Sequence, residues 1–320
     1  MTFFTFSSRR TCAILCTYIS MGTILFFVLG EIGNFISPIR SNELARRFKE
    51  SNVYNAEAIT LGTSHNGAII AEDFSYPLFH LYTGGQNLKE SLFFLKYFKS
   101  RVDKNKIKFI LIPVTIGSIY QLSEISPKIA EKLIALEHVD FLISTIPYNL
   151  NFYLRGLLPT IARQDNWIGV AISLFFNNKE INRTKEEPFK KEEPFKDDRA
   201  IMHIKDHVSI NNNQKKINLK ILTDISVVTQ ELGACLILYE SPVSYIYLNN
   251  FEKYEPSLKD WKTIFIDFAN QDDSCVYFIE DIWPSQNSKN PFYYKDQDHL
   301  NDRGSYLFTR LIDMKIRHIK

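Results

Sequence analysis

The sequence predicts an α/β protein, a doubly wound, three-layer parallel sheet with an N-terminal transmembrane helix, and three observations carry that expectation. From about residue 57 onward, short apolar runs alternate with helical stretches, the rhythm of parallel strands joined by crossover helices. Runs such as Phe109-Ile110-Leu111-Ile112 and Cys235-Leu236-Ile237-Leu238-Tyr239 suit strands covered on both faces. Thr11 to Gly30 carries no charged side chain and follows Arg9 and Arg10.

That first segment is long enough to cross a bilayer at 1.5 Å rise per residue. The two arginines place the short N-terminus inside and the rest outside. A cleaved signal peptide ending near Val28-Leu29-Gly30 is the alternative, but the apolar run exceeds a usual signal core. The expected organisation is a membrane anchor over residues 1–31 and one domain over 32–320, interrupted at about 140–213. The expected location is a bacterial cytoplasmic membrane, single-pass, with the C-terminal domain periplasmic or extracellular.

Beyond the anchor, Ser41 to Ser51 reads as a short polar helix. Strands are expected at Glu57 to Gly62, Phe79 to Thr83, Ile107 to Pro113, Ala234 to Glu240 and Cys275 to Glu280. Gln214 to Leu232 places Ile217, Ile221, Leu222, Ile225, Val228 and Leu232 at three- and four-residue spacing, with Gly233 as a stop, which makes an amphipathic crossover helix. Leu88 to Phe98 and Leu307 to Ile312 are shorter helices. Right-handed crossovers then leave the doubly wound sheet as the simplest assembly.

The stretch from about Asp140 to Asn213 breaks this rhythm. Aromatic-rich segments at Tyr148 to Leu158 and Trp167 to Phe176 precede a duplicated hexapeptide, Lys185 to Lys190 and Lys191 to Lys196. Two copies are too few for a solenoid, and their prolines and charge suit a surface loop.

Composition narrows the function. With 320 residues, 45% hydrophobic and a net charge of +2, the chain can bury a large core but presents no basic field for nucleic acid. Four cysteines form no CxxC pair, so neither a zinc module nor a disulfide scaffold is indicated. Cys12 and Cys16 fall in the apolar segment. Cys235 and Cys275 open neighbouring strands, where parallel side chains strain a disulfide, and two buried thiols are expected. His203 and His207, four apart, are expected on a solvated surface, and no metal is expected.

The chemistry lies at the two ends of the domain. Leu61-Gly62-Thr63-Ser64-His65 puts a serine on the turn leaving a strand, at the sheet edge where α/β folds bind ligands. Tyr294 to Gly304 contains Asp296-Gln297-Asp298-His299-Leu300-Asn301. An aspartate three residues before a histidine can turn back onto one imidazole nitrogen, leaving the other to accept a serine proton. Asp298 competes for that role, but a tight turn brings positions i and i+3 together while adjacent side chains diverge. His65 reads as a first-turn helix residue.

The pairing of Gly-Thr-Ser-His with Asp-x-x-His-Leu-Asn-x-x-Gly resembles the SGNH (GDSL-type) hydrolase superfamily, and within it the membrane-anchored bacterial acyltransferase and esterase relatives. The resemblance implies a flavodoxin-like sheet, Ser64 as nucleophile, His299 as base and Asp296 as orienting acid, with no cofactor. Thr83-Gly84-Gly85-Gln86-Asn87 matches the family's second block, so Gly84 or Gly85 is expected to lend an oxyanion N–H beside that of Ser64. The third block departs: Pro113-Val114-Thr115-Ile116-Gly117-Ser118 stands where Gly-x-Asn-Asp is usual, leaving Thr115 or Ser118 as substitutes. Pro242, after the fourth strand, would shape an acceptor pocket. The implied partners are an acyl ester or donor, a glycan acceptor of the cell envelope and the membrane. A catalytically silent relative that binds polysaccharide or an envelope-assembly partner is the alternative.

Overall fold

The computed structural model describes residues 55–82, 84–100, 102, 105–115, 117–123, 125, 201, 204, 212–254, 261–271 and 275–319, together with 14 and 16–22 near the N-terminus. The expectations for Ser41 to Ser51, Thr83, His203, His207 and nearly all of residues 140–213 lie outside them. The chain divides into two compact units, Met1–Arg46 with Pro127–Asn182 and Arg47–Ser126 with Arg183–Lys320. In the first, residues 14 and 16–22 are helical. Among the described residues no helix is long and apolar enough to cross a membrane.

The second unit contains a five-stranded, all-parallel sheet: β1 (Ala58–Thr60), β2 (Leu78–His80), β3 (Phe109–Val114), β4 (Cys235–Glu240) and β5 (Val276–Ile279), in the order β2-β1-β3-β4-β5. This is the doubly wound order whose direction reverses beside β1, so the carboxyl ends of β1 and β3 flank a crevice. Each strand falls within or beside its expected run. Alternate residues of β3 and β4 point to opposite faces, yet Phe109, Ile110, Leu111, Ile112, Leu236, Ile237, Leu238 and Tyr239 are all buried. Both faces of the central sheet are therefore covered.

On one face, Ala58, Phe109, Leu111, Ile237 and Tyr239 form a core cluster with Phe308, Ile312 and Ile316 of the C-terminal helix. Helices α1 (Leu88–Lys99) and α2 (Asn212–Glu231) pack against one another. Asn87 starts α1 with a reciprocal capping box: its side chain accepts the Glu90 N–H at 3.0 Å, and Glu90 accepts the Asn87 N–H at 3.1 Å, satisfying two otherwise orphaned donors. In α2, Ile221, Leu222, Ile225 and Val228 are buried as the spacing anticipates, whereas Ile217 is half exposed. Two further helices were not legible in the sequence, α3 (Tyr245–Tyr254) and α4 (Trp261–Gln271). Trp261 and Phe265 of α4 rest against Phe278 of β5, with ring centroids 6.4 and 5.6 Å apart.

The two expected thiols are instead a disulfide, Cys235–Cys275, with Cα atoms 4.7 Å apart. The expectation placed both cysteines inside paired strands. In fact β5 begins at Val276, so Cys275 lies just outside the regular strand and only its carbonyl joins the ladder, accepting the Leu236 N–H at 2.8 Å. The 4.7 Å between the two Cα atoms is the ordinary spacing of neighbouring strands and lies within the range a disulfide spans, so the spacing expected to strain the bridge accommodates it.

The last helix, α5 (Asp302–Arg317), extends beyond its apolar centre at both ends. Asn301 caps it, accepting the Gly304 N–H at 3.0 Å, and donates from Nδ2 to the Phe292 carbonyl at 2.8 Å. Gly304 lets this turn close: a Cβ there would sit 2.2 Å from the Tyr293 carbonyl oxygen. Gly304→Ala should therefore lower stability by about 1–3 kcal/mol through overpacking. Urea unfolding midpoints of the two proteins check this, and equal midpoints would refute the close-approach role.

Candidate active site

The first arm of the site is the turn after β1. Gly62 adopts φ +110°, a left-handed value that favours glycine, and the chain then enters a short 3-10 helix, Ser64–Ala68. Thr63 caps it, its hydroxyl accepting the His65 N–H at 3.4 Å. Beneath it lies Asn66, fully buried. Its Nδ2 donates to the Leu61 carbonyl at 2.6 Å, and its Oδ1 accepts the Tyr239 hydroxyl of β4 at 2.9 Å. Asn66 thus ties the serine turn to the central sheet. The sequence reading missed it, because an asparagine two residues after the serine looks like any polar turn residue until its partner on β4 is known.

The second arm is the loop before α5. An antiparallel bridge pairs Tyr294 with Leu300, and the Lys295 N–H donates to the His299 carbonyl at 3.1 Å, pinching residues 295–299 into a tight projection. Tyr294 anchors its base: the hydroxyl donates to the Val243 carbonyl at 2.8 Å and accepts the Trp283 indole N–H at 2.7 Å. Inside the projection, Asp296 Oδ1 accepts the backbone N–H groups of Asp298 and His299 at 3.2 and 2.7 Å. These bonds hold the carboxylate toward the ring three residues on.

The arms meet. Ser64 Oγ lies 2.7 Å from His299 Nε2, although 235 residues separate them in sequence. His299 Nδ1 faces both Asp296 oxygens, at 2.9 and 3.1 Å. Asp298 also reaches the ring, its Oδ1 3.1 Å from Nδ1, so the expected divergence of adjacent side chains does not hold. The projection is tight enough to turn both carboxylates to one nitrogen. His65 is not a bystander either. Its ring stacks on His299 with centroids 4.9 Å apart and 10° between planes, and its Nε2 lies 3.8 Å from Asp298 Oδ2.

The electrostatics follow from this crowding. Burial alone would lower the His299 pKa, but hydrogen bonds to Asp296 and Asp298 and their negative charges override it and raise it to about 9. Burial alone would raise the Asp298 carboxyl, but the His299 ring, with His65 behind it, holds it well below the usual carboxylate range. Among the described residues, donor atoms of His65, Asp298 and His299 lie within 4.8 Å of one another, close enough for one divalent ion to bridge. Imidazole lone pairs lie in the ring plane, however, and two stacked rings cannot both aim at one ion unless one turns.

A cleft bounded by Ser64, His65, Gly67, Ala68, Pro242, Lys295, Asp298, His299 and Leu300 opens over these groups. Pro242, just after β4, is part of that lining. Gly84 and Gly85 are exposed and do not line this cleft; Gly85 adopts φ +69°. Thr115 and Ser118 also lie outside its lining and are occupied with one another. The Thr115 N–H donates to Ser118 Oγ at 2.8 Å, the Ser118 N–H donates to the Thr115 carbonyl at 3.0 Å, and the two hydroxyls are 3.1 Å apart.

No protein-family model matches the chain, and no curated protein matches it. Among solved structures, one provisionally described as a platelet activating factor from Streptococcus pneumonia aligns over 94% of this chain and 99% of its own, at 9% identity and a TM-score of 0.39.

Proposed function

We propose that this chain is an exported, membrane-tethered serine acyl-transfer enzyme, an esterase or O-acyltransferase acting on cell-envelope glycans through a Ser64 acyl-enzyme. One observation carries the reading: the continuous chain Ser64 Oγ, His299 Nε2, His299 Nδ1, Asp296 carboxylate, beside a cleft at the carboxyl end of β1. A serine hydroxyl is a weak nucleophile until a base takes its proton, and a carboxylate on the base's far nitrogen stabilises the resulting imidazolium.

The steps balance. The Ser64 proton passes to His299 Nε2 as Oγ bonds to the ester carbonyl carbon. The carbon–oxygen bond to the alcohol then breaks, and that alcohol leaves with the proton from Nε2. Water or a glycan hydroxyl repeats the sequence in reverse, giving its proton to His299 and returning Ser64. Hydrolysis and transfer differ only in which acceptor reaches the ester. The backbone N–H of Ser64 is our candidate oxyanion donor; Gly84 and Gly85, expected beside it, do not line the cleft.

Three features support the remainder of the reading. The Cys235–Cys275 disulfide belongs to an oxidising compartment. The uncharged Thr11 to Gly30 stretch follows two arginines, and its Ile14, Tyr18, Ile19 and Met21 side chains are exposed, as lipid-facing side chains would be. The Thr115/Ser118 pair spends its hydroxyls within its own turn rather than on an oxyanion, which favours a slow enzyme over a fast general esterase. A silent polymer-binding relative is the second reading that the same pair permits.

The test supplies a chromogenic acyl ester with and without a cell-wall oligosaccharide. Acid release alone selects the esterase, acylated oligosaccharide selects the transferase, and neither product overturns catalysis and leaves the binding reading. The base works only when Nε2 is unprotonated. With His299 at about 9, roughly a hundredth of the molecules carry the free base at pH 7, so kcat/KM is expected to climb about tenfold per pH unit and level off near pH 9.

A further inference from the structure

Two groups in the site have no part in a three-residue relay. Asp298 has only 4% of its side chain exposed, yet it places one oxygen 3.1 Å from His299 Nδ1 and the other 3.8 Å from His65 Nε2. His65, with 12% of its side chain exposed, covers one face of the His299 ring. A buried carboxylate is expensive unless positive charge or hydrogen-bond donors surround it, and the groups facing Asp298 show what does so here. His299 and Asp296 meet it from its own projection, and His65 from the serine turn. Tyr247 of α3 is close enough for the Asp298 charge to add to burial in pushing its hydroxyl up. Lys295 lines the same cleft but is exposed.

We propose that Asp298 and His65 are positioning residues for His299: Asp298 is a second anion on the Nδ1 edge, and His65, stacked on the ring, offsets that anion's charge. Together they set how tightly the imidazole holds its proton, and therefore when Nε2 is free to receive one from Ser64. The inference rests on the acyl-transfer reading for its role in catalysis, but its physical content does not, because the balance of charge around His299 exists whether or not the site turns over.

The two residues pull in opposite directions. Removing the Asp298 charge takes a negative neighbour from the imidazolium, so His299 should release its proton at lower pH. Removing His65 takes away the positive end of an N–H, or a full charge, that faces Asp298. The carboxylate then acts on His299 less opposed, and the proton should be held to higher pH.

The experiment is an NMR titration of the His299 ring in the full chain, comparing wild type, Asp298→Asn and His65→Phe. Asparagine keeps the size of the carboxylate, and phenylalanine keeps a ring to stack. Asp298→Asn is expected to lower the His299 pKa by about one unit or more, and His65→Phe to raise it by several tenths. The rise of kcat/KM with pH should shift by the same amounts. Loss of packing alone would move both variants toward the free-imidazole value, so a fall in both overturns the proposal, as does an unmoved His299 in either. Should Asp298→Asn fail to fold, the sign of the His65→Phe shift decides by itself. A protein with the two opposite shifts but no acyl product would keep this inference and remove the catalytic reading.

Discussion

Ser64→Ala is expected to abolish covalent labelling by a fluorophosphonate and to reduce ester turnover by about 10⁴-fold or more, the scale seen when a nucleophile is removed from a residue set that acts as a unit. The effect should be far larger than its structural cost. Ser64 is only half buried, and the turn that presents it is held by other residues: the Thr63 cap, the Gly62 backbone and the two-way hydrogen bonding of Asn66. The unfolding midpoint of Ser64→Ala should therefore stay near that of wild type while labelling disappears. Labelling that persists in the variant would place the nucleophile elsewhere. A Ser64→Ala/His299→Ala double variant should lose little beyond the single one, because the base has no task without the hydroxyl it deprotonates.

The second large effect concerns stability. Cys235–Cys275 closes a loop with a sequence separation of 40, and restricting an unfolded chain over that length is worth about 4 kcal/mol on loop-entropy grounds. The bridge joins the starts of β4 and β5, two strands paired in parallel over four residues, and α4 with its Trp261 and Phe265 contacts lies within the loop it closes. Cys235→Ser/Cys275→Ser, or wild type with reductant, should unfold at markedly lower urea concentration. Esterase activity in the absence of urea should be retained, because the bridge sits at the amino ends of these strands and the cleft at the carboxyl end of the sheet. An unchanged midpoint under reductant, with thiol titration confirming reduction, would refute the stabilising role.

Much of the sheet was legible because its signal is local. A strand covered on both faces must be apolar at successive positions, and Phe109 to Val114 and Cys235 to Glu240 can serve as little else. The Asp296-to-His299 turn was legible for the same reason: an i to i+3 contact is a property of four consecutive residues. Helices α3 and α4 were not, because Tyr245-Ile246-Tyr247-Leu248-Asn249-Asn250 mixes apolar and polar residues without a strong period, and their burial depends on β5 and on the site loop. Ile217 failed in the opposite direction, since helical spacing predicts which residues share a face and not how far along the helix a neighbour extends.

Local pattern was thus enough for the α/β class, the positions of the five strands and the turn from Asp296 to His299, whereas the full Ser64–His299–Asp296 chain was expected only from the family resemblance of the two end motifs. What surrounds that chain was settled only by the tertiary fold. That Asn66 would find Tyr239 from 173 residues away and that His65 would stack on His299 depends on how distant parts of the chain are brought to one sheet edge. The disulfide belongs with them, because it depends on β4 and β5 pairing in the register that sets Cys235 opposite Cys275. The physical reason is common to all three: alternation and helical period report which way a side chain faces along its own element, whereas the groups it meets are set by what other elements place beside it.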